Sequence, residues 1–134
     1  MNTGIKIGDT FLIQTGTQSD PLKKHLHFVI TSVENGKCIA VPLQTLKEGL
    51  PYDKSCVLKQ GDHEFIKHDS WVAYDKACFL YENTITLDIA QGRVKRKMSL
   101  SESVLKKIIV GAIQSERLTR RYKNIIICQQ KITT

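Results

Sequence analysis

All four histidines of this chain fall in two short stretches, His25-Leu26-His27 and Asp62-His63-Glu64-Phe65-Ile66-Lys67-His68. On a strand, residues two apart point to the same face, so His25 and His27 would stand side by side. Imidazoles with an unperturbed pKa near ~6.5 hold both protonation forms near neutrality, as a general base and a general acid require. The same His-x-His spacing can give a metal two ligands, with His63 or His68 adding a third. A third reading makes these loop and strand-edge histidines satisfied by backbone partners. Spacing alone leaves all three open.

Around the histidines stand Lys23, Lys24 and Lys67, cations suited to a phosphate, and the hydroxyls of Thr45 and Ser70. Trp71 and Tyr74 follow the second stretch and offer a base a stacking face, or pack in a core or rim. Cys56 with Asp62 and His63 has the residue types of an activated thiol. However, Cys56-Val57-Leu58 reads as a strand with the cysteine inward, where a thiol is inert. Gly61-Asp62-His63 is a single-glycine turn rather than a phosphate-cradling loop.

Charge is unevenly distributed. Residues 1–90 hold nine lysines, no arginine and eleven acidic residues, a net of −2, whereas residues 91–134 hold eleven basic and two acidic residues, a net of +9. All five arginines lie in that last third, and Arg93, Lys95, Arg96 and Lys97 are its densest cluster. Such an excess attracts polyanions by releasing their condensed counterions, or else holds an acidic protein segment.

The elements that must position these residues are mostly strands. Alternation predicts strands over 9–15, 25–33 and 37–43, the last two joined by Asn35-Gly36, a strong hairpin-turn signal. Further short strands fit 55–59, 70–74 and 84–89, with polar loops at 16–24 and 46–54. Short strands with little room for crossover helices argue for a small curled antiparallel barrel. One helix is expected over about 99–117. Ser99-Leu100-Ser101-Glu102 has capping spacing, and with Ser101 as the cap, Leu100 and Leu105 form a hydrophobic staple. Val104, Leu105, Ile108, Ile109, Ala112 and Ile113 make one apolar stripe. The segment after Leu118 fits helix or strand.

At 134 residues the chain has the size of one domain, and residues 1–134 read as a single barrel with a basic C-terminal third. The runs Ile108-Ile109-Val110 and Ile125-Ile126-Ile127 are far below the ~20 apolar residues of a spanning helix, so no membrane partner is expected. Met1-Asn2-Thr3-Gly4-Ile5-Lys6 has no apolar export core. A cytoplasmic setting follows, with Cys38, Cys56, Cys78 and Cys128 reduced and packed as small hydrophobes, since none forms a CxxC pair.

The order of these segments resembles the MazF/PemK growth-inhibitor toxins. Gly8-Asp9-Thr10-Phe11-Leu12-Ile13 is similar to that family's opening strand, His25-Leu26-His27-Phe28-Val29-Ile30 to its second, and Val41-Pro42-Leu43-Gln44-Thr45 to the end of its third. The resemblance spans roughly residues 5–115. It implies an SH3-like barrel with a C-terminal helix, and a homodimeric endoribonuclease that cleaves RNA without metal or other cofactor and pairs with a cognate antitoxin. The family's arginine falls on Leu26 and its first threonine on Gln44, and only Thr45 matches. In their place stand Lys23, Lys24, His25 and His27. Acid/base work and phosphate contact are thus expected of His25, His27, His63 and His68, with Thr45 and Ser70 orienting the phosphate. The competing expectation is a non-catalytic barrel that binds nucleic acid or a protein.

Overall fold

A computed structural model describes residues 4–15 and 22–133. Met1-Asn2-Thr3 and the 16–21 part of the predicted loop lie outside the described residues. Seven strands, β1 (Thr10–Gln14), β2 (Lys24–Val29), β3 (Lys37–Thr45), β4 (Val57–Leu58), β5 (Ser70–Val72), β6 (Cys78–Tyr81) and β7 (Lys95–Lys97), form one antiparallel sheet. Its order is β4-β5-β3-β2-β1-β7, with β6 paired to β3. Three helices accompany it: α1 (Glu82–Ala90), α2 (Glu102–Gln114) and α3 (Arg120–Thr133). The expected class, mainly β with C-terminal helix, is the observed one.

The β2–β3 hairpin turns where the sequence says it should. Asn35 and Gly36 both adopt positive φ, 54° and 77°, as a type I′ turn demands, and Glu34 and Lys37 exchange both backbone hydrogen bonds. β2 ends at Val29, short of the expected 33, because the ladder breaks before the turn. There the Thr31 hydroxyl accepts the Ile39 N–H at 2.8 Å and replaces a main-chain partner. β3 is shared by two neighbours along one edge: residues 37–40 pair with β6 and 43–45 with β5. Pro42 sits at the handover. Its carbonyl accepts from Ala73 N on that edge, so the N–H it lacks falls where the partner changes.

Period-two alternation gives the sheet two apolar faces. On one, Leu26, Phe28, Ile39 and Val41 meet Val104, Ile108 and Ala112 of α2 and Ile126 of α3. The fully buried leucine, phenylalanine, isoleucine and valine side chains among them contribute roughly 1.5–3 kcal/mol each. On the other, Phe11, Val29, Cys38 and Ala40 meet Ile85 of α1. That second core covers only part of its face, and the remainder carries His25, His27, Pro42 and Gln44.

α2 starts as expected, with the Ser101 hydroxyl accepting the Val104 N–H at 3.3 Å and Leu100 and Leu105 packed beside the core. It runs from 102 to 114, inside the expected 99–117. Gly111 lets it lie close: a Cβ there would come within 2.9 Å of Ser55 O and Cys56 Cβ and collide with the Tyr74 hydroxyl. That hydroxyl donates to Ile108 O at 2.6 Å, which makes Tyr74 a buried helix anchor rather than a stacking surface. The residues after Leu118 form α3. Its Gln129 side chain accepts the Ser32 N–H and donates to Ser32 O and to Glu34.

Three expectations are corrected. Residues 84–89 are helix α1, not strand, because Ile85 and Ile89, four apart, both pack on the second core. β6 and β7 were not expected; β7 is a strand of charges whose backbone pairs with β1. Cys38 and Cys56 are buried, with burial pushing their thiols up to about 12 and about 11, but Cys78 is half-buried and Cys128 exposed.

Candidate functional site

A groove of about 1100 Å³ opens on the part of the second sheet face that α1 leaves uncovered. Strand alternation puts the first histidine pair there. His25 and His27 lie opposite Ile13 and Phe11 of β1, and His27 also lies opposite Pro42 of β3. The neighbouring Leu26 points the other way, into the first core. A flexible arginine at that position would bury its charge, so this register hands the site to the two histidines.

The two rings differ. His27 is buried, and its Nδ1–H donates to His25 O at 3.0 Å, which fixes the tautomer and leaves the Nε2 lone pair as its reactive atom. His27 lines the groove, and no buried side-chain nitrogen or oxygen among the described residues lacks a partner, so Nε2 is not sealed off in the core. His25 is more open, with Nδ1 2.7 Å from Thr15 Oγ1. Desolvation holds both imidazoles below the usual histidine value. For His25 the charges of Lys23 and Lys76 add to it; for His27 the bond to the His25 carbonyl partly opposes it. Both rings are therefore poised as neutral bases near pH 7.

Other walls complete the groove. Gln44 and Thr45 come from the end of β3, Ser70 and Trp71 from β5 paired opposite them, and Lys67 and His68 from the preceding loop. The Ser70 hydroxyl donates to His68 O at 2.8 Å. Lys23, Lys24, Lys47, Lys67 and Lys76 all line the cavity, and among the described residues no aspartate or glutamate does. Low local dielectric and one sign of charge focus the potential on anything anionic.

Of the sequence-predicted residues, His25, His27, Thr45, His68, Ser70, Lys23, Lys24 and Lys67 share this groove. His63 does not. It is buried, its Nδ1 accepts the Phe65 N–H at 3.0 Å, and its Nε2–H donates to Met98 O at 2.5 Å. With both nitrogens engaged in the neutral ring, it ties the 59–69 loop to the end of β7, which is a positioning task. The cluster 93–97 lies at the far edge of the sheet, beyond β1. There Arg93 pairs with Asp88 at 2.7 Å, and Arg96 pairs with Asp9 at 2.6 Å while lying over the Phe11 ring. Sequence reasoning missed Lys47, Lys76, Tyr52 and Phe65, which lie far apart in the chain and meet only through the β3–β4 and β4–β5 loops and the turn before β6.

Among the described residues no three His, Cys, Asp or Glu side chains gather as a metal-holding set, and no helix is long and apolar enough to cross a membrane. The architecture is that of a small curled antiparallel sheet with helices at its C-terminal side and a basic, histidine-bearing groove. No family model and no curated protein matches the chain. A solved structure does: it is similar to a chain of the MazE-MazF complex (Form-II) from Deinococcus radiodurans, with a TM-score of 0.53 and 13% identity over 84% of this chain and 95% of that one. At that identity the likeness is one of fold, and it is the MazF-like fold that the sequence resemblance implied.

Proposed function

We propose that this chain is a toxin-like endoribonuclease that cleaves RNA in the groove by acid/base catalysis, works as a homodimer in the cytoplasm and is held in check by a cognate antitoxin. The observation that carries the reading is the groove's make-up: among the described residues it is lined by three histidines and five lysines and by no carboxylate. In this scheme His27 Nε2 takes the proton of a ribose 2′-hydroxyl. The freed oxygen attacks the adjacent phosphorus, the bond to the 5′-oxygen breaks, and His68 protonates that leaving oxygen. Lys23, Lys24 and Lys67 offset the charge that builds on the phosphoryl oxygens, neutral His25 contacts them through a ring N–H, and Thr45 and Ser70 orient the phosphate. Every step is met by side chains of the groove, so cleavage persists in chelator. The antitoxin and dimer parts rest on the MazE-MazF likeness, the RNA part on the groove.

A second reading, a groove that binds RNA without cutting it, is favoured by one observation. The position that aligns with the family's arginine is Leu26, turned into the core. Incubating purified protein with single-stranded RNA in excess chelator separates the two. New 2′,3′-cyclic phosphate ends, lost in His27→Gln, support the nuclease. Bound but intact RNA supports the second reading, and activity restored only by added metal overturns the scheme.

A further inference from the structure

Two loops wall the groove, and each brings an aromatic ring along with a lysine. The β3–β4 loop carries Lys47 and Tyr52, and the β4–β5 loop carries Phe65 and Lys67. Trp71, on β5, also lines the groove; it is 9% exposed, with its ring centroid 6.2 Å from that of Tyr52 at a 48° tilt. An exposed phenylalanine at a loop tip is ordinary by itself. Phe65 is different because it is held out deliberately. It is 40% exposed, yet its N–H is bonded to His63, which is bonded in turn to Met98, and the next residue, Ile66, is buried in the first core. The loop is thus pinned on both sides of a ring left in water, at a cavity whose charged lining, among the described residues, is lysine.

We infer that Phe65 and Tyr52, with the largely buried Trp71 beside Tyr52, form a base-stacking subsite, in which an unpaired base is seated against aromatic faces while the groove lysines hold the phosphates on either side. The inference rests on the nucleic-acid reading above and adds to it. Phosphate contacts alone accept any polyanion, whereas an aromatic wall admits only strands whose bases are unstacked and accessible. Every base has a π face, so the wall selects single strands over duplexes without selecting sequence. It also explains why apolar rings persist in a cationic cleft that would otherwise gain from polar lining.

Trp71 is the only tryptophan of the chain, so its emission reports on this wall. The experiment titrates the full chain with a 2′-O-methyl oligouridylate, which resists cleavage, and with an abasic strand of the same length. The base-bearing strand is expected to quench Trp71 and to bind about tenfold more tightly than the abasic strand at equal salt. Phe65→Ala should lose most of that advantage with an unchanged salt slope, and Phe65→Tyr should keep it. Equal affinity without quenching overturns the stacking subsite and leaves the groove a phosphate site. Failure of both strands to bind overturns the nucleic-acid reading itself. An acidic peptide that quenches Trp71 and binds as tightly as the oligouridylate overturns the subsite in favour of a protein partner.

Discussion

Two basic regions of this molecule, the groove and the β7 edge, look alike as charge counts and differ as surfaces. At the edge the arginines already have carboxylates: Arg93 has Asp88 and Arg96 has Asp9. In the groove five lysines converge with no acidic side chain among the described lining residues. The edge charges blunt a strand whose outer backbone groups would otherwise pair with another chain. The groove charges surround titratable rings and a cavity. A cation's value to an anionic ligand depends on what already neutralises it, and that is decided by folding, not by composition.

The largest expected effect separates the regions by chemistry. His27→Gln is expected to slow RNA cleavage by about 10²–10⁴-fold with the fold intact, whereas Arg93→Gln with Arg96→Gln should leave the rate within about twofold. Rates from a fluorogenic strand, read beside thermal melts, check both, and the reverse pattern breaks the comparison. Next comes affinity. Replacing Lys23, Lys24, Lys67 and Lys76 with Gln should lower the salt slope of single-strand binding by about 3. The same change at Arg93, Lys95, Arg96 and Lys97 should lower it by no more than about 1.4, because only the two lysines are unmatched by the ion pairs seen there. Equal slopes would show that the edge meets RNA as fully as the groove.

A smaller effect concerns the two histidine stretches. His63→Ala removes a buried ring and both its hydrogen bonds, and should cost about 1–3 kcal/mol in urea unfolding. His68→Ala, on an exposed residue, should stay within about 0.5 kcal/mol. The smallest is pH dependence. Burial lowers His25 and His27, so the unfolded chain binds protons that the native state refuses. Their stability contribution is full above the ordinary value of 6.5 and is lost as pH falls below it. The urea midpoint should therefore drop between pH 7.5 and 5.5, and His27→Gln should remove part of that drop.

Much of the architecture was legible where a local rule and a tertiary need coincide. Asn35-Gly36 required positive φ and received it, and Ser101 capped the helix whose apolar stripe fills the first core. Legibility failed where packing overrode local preference. Thr84-Ile85-Thr86-Leu87 alternates like a strand, but what decided its state was that Ile85 and Ile89 reach one core from a helix. Lys95-Arg96-Lys97 has no apolar side chain, so nothing in it announced a strand; its pairing rests on the backbone ladder and on Arg96, whose partners Asp9 and Phe11 lie 85 or more positions away in the chain. At the site, the adjacency of His25 and His27 followed from period two. His63 was indistinguishable from His68 by sequence, although one anchors a loop and the other faces the groove. Lys47, Lys76, Tyr52 and Phe65 had no neighbours in the chain to mark them.

The clasp between Gln129 and Ser32 bears on the order in which the molecule is made. Every strand is synthesised before α3, yet the backbone N–H and C=O of Ser32, at the end of the β2 side of the hairpin, wait for that helix to supply both partners, as the first core waits for Ile126. Domains begin to fold while still being translated. Here the sheet emerges with one of its faces unsealed, and the groove's far side gains its rigid backing only after residues 120–129 have left the ribosome.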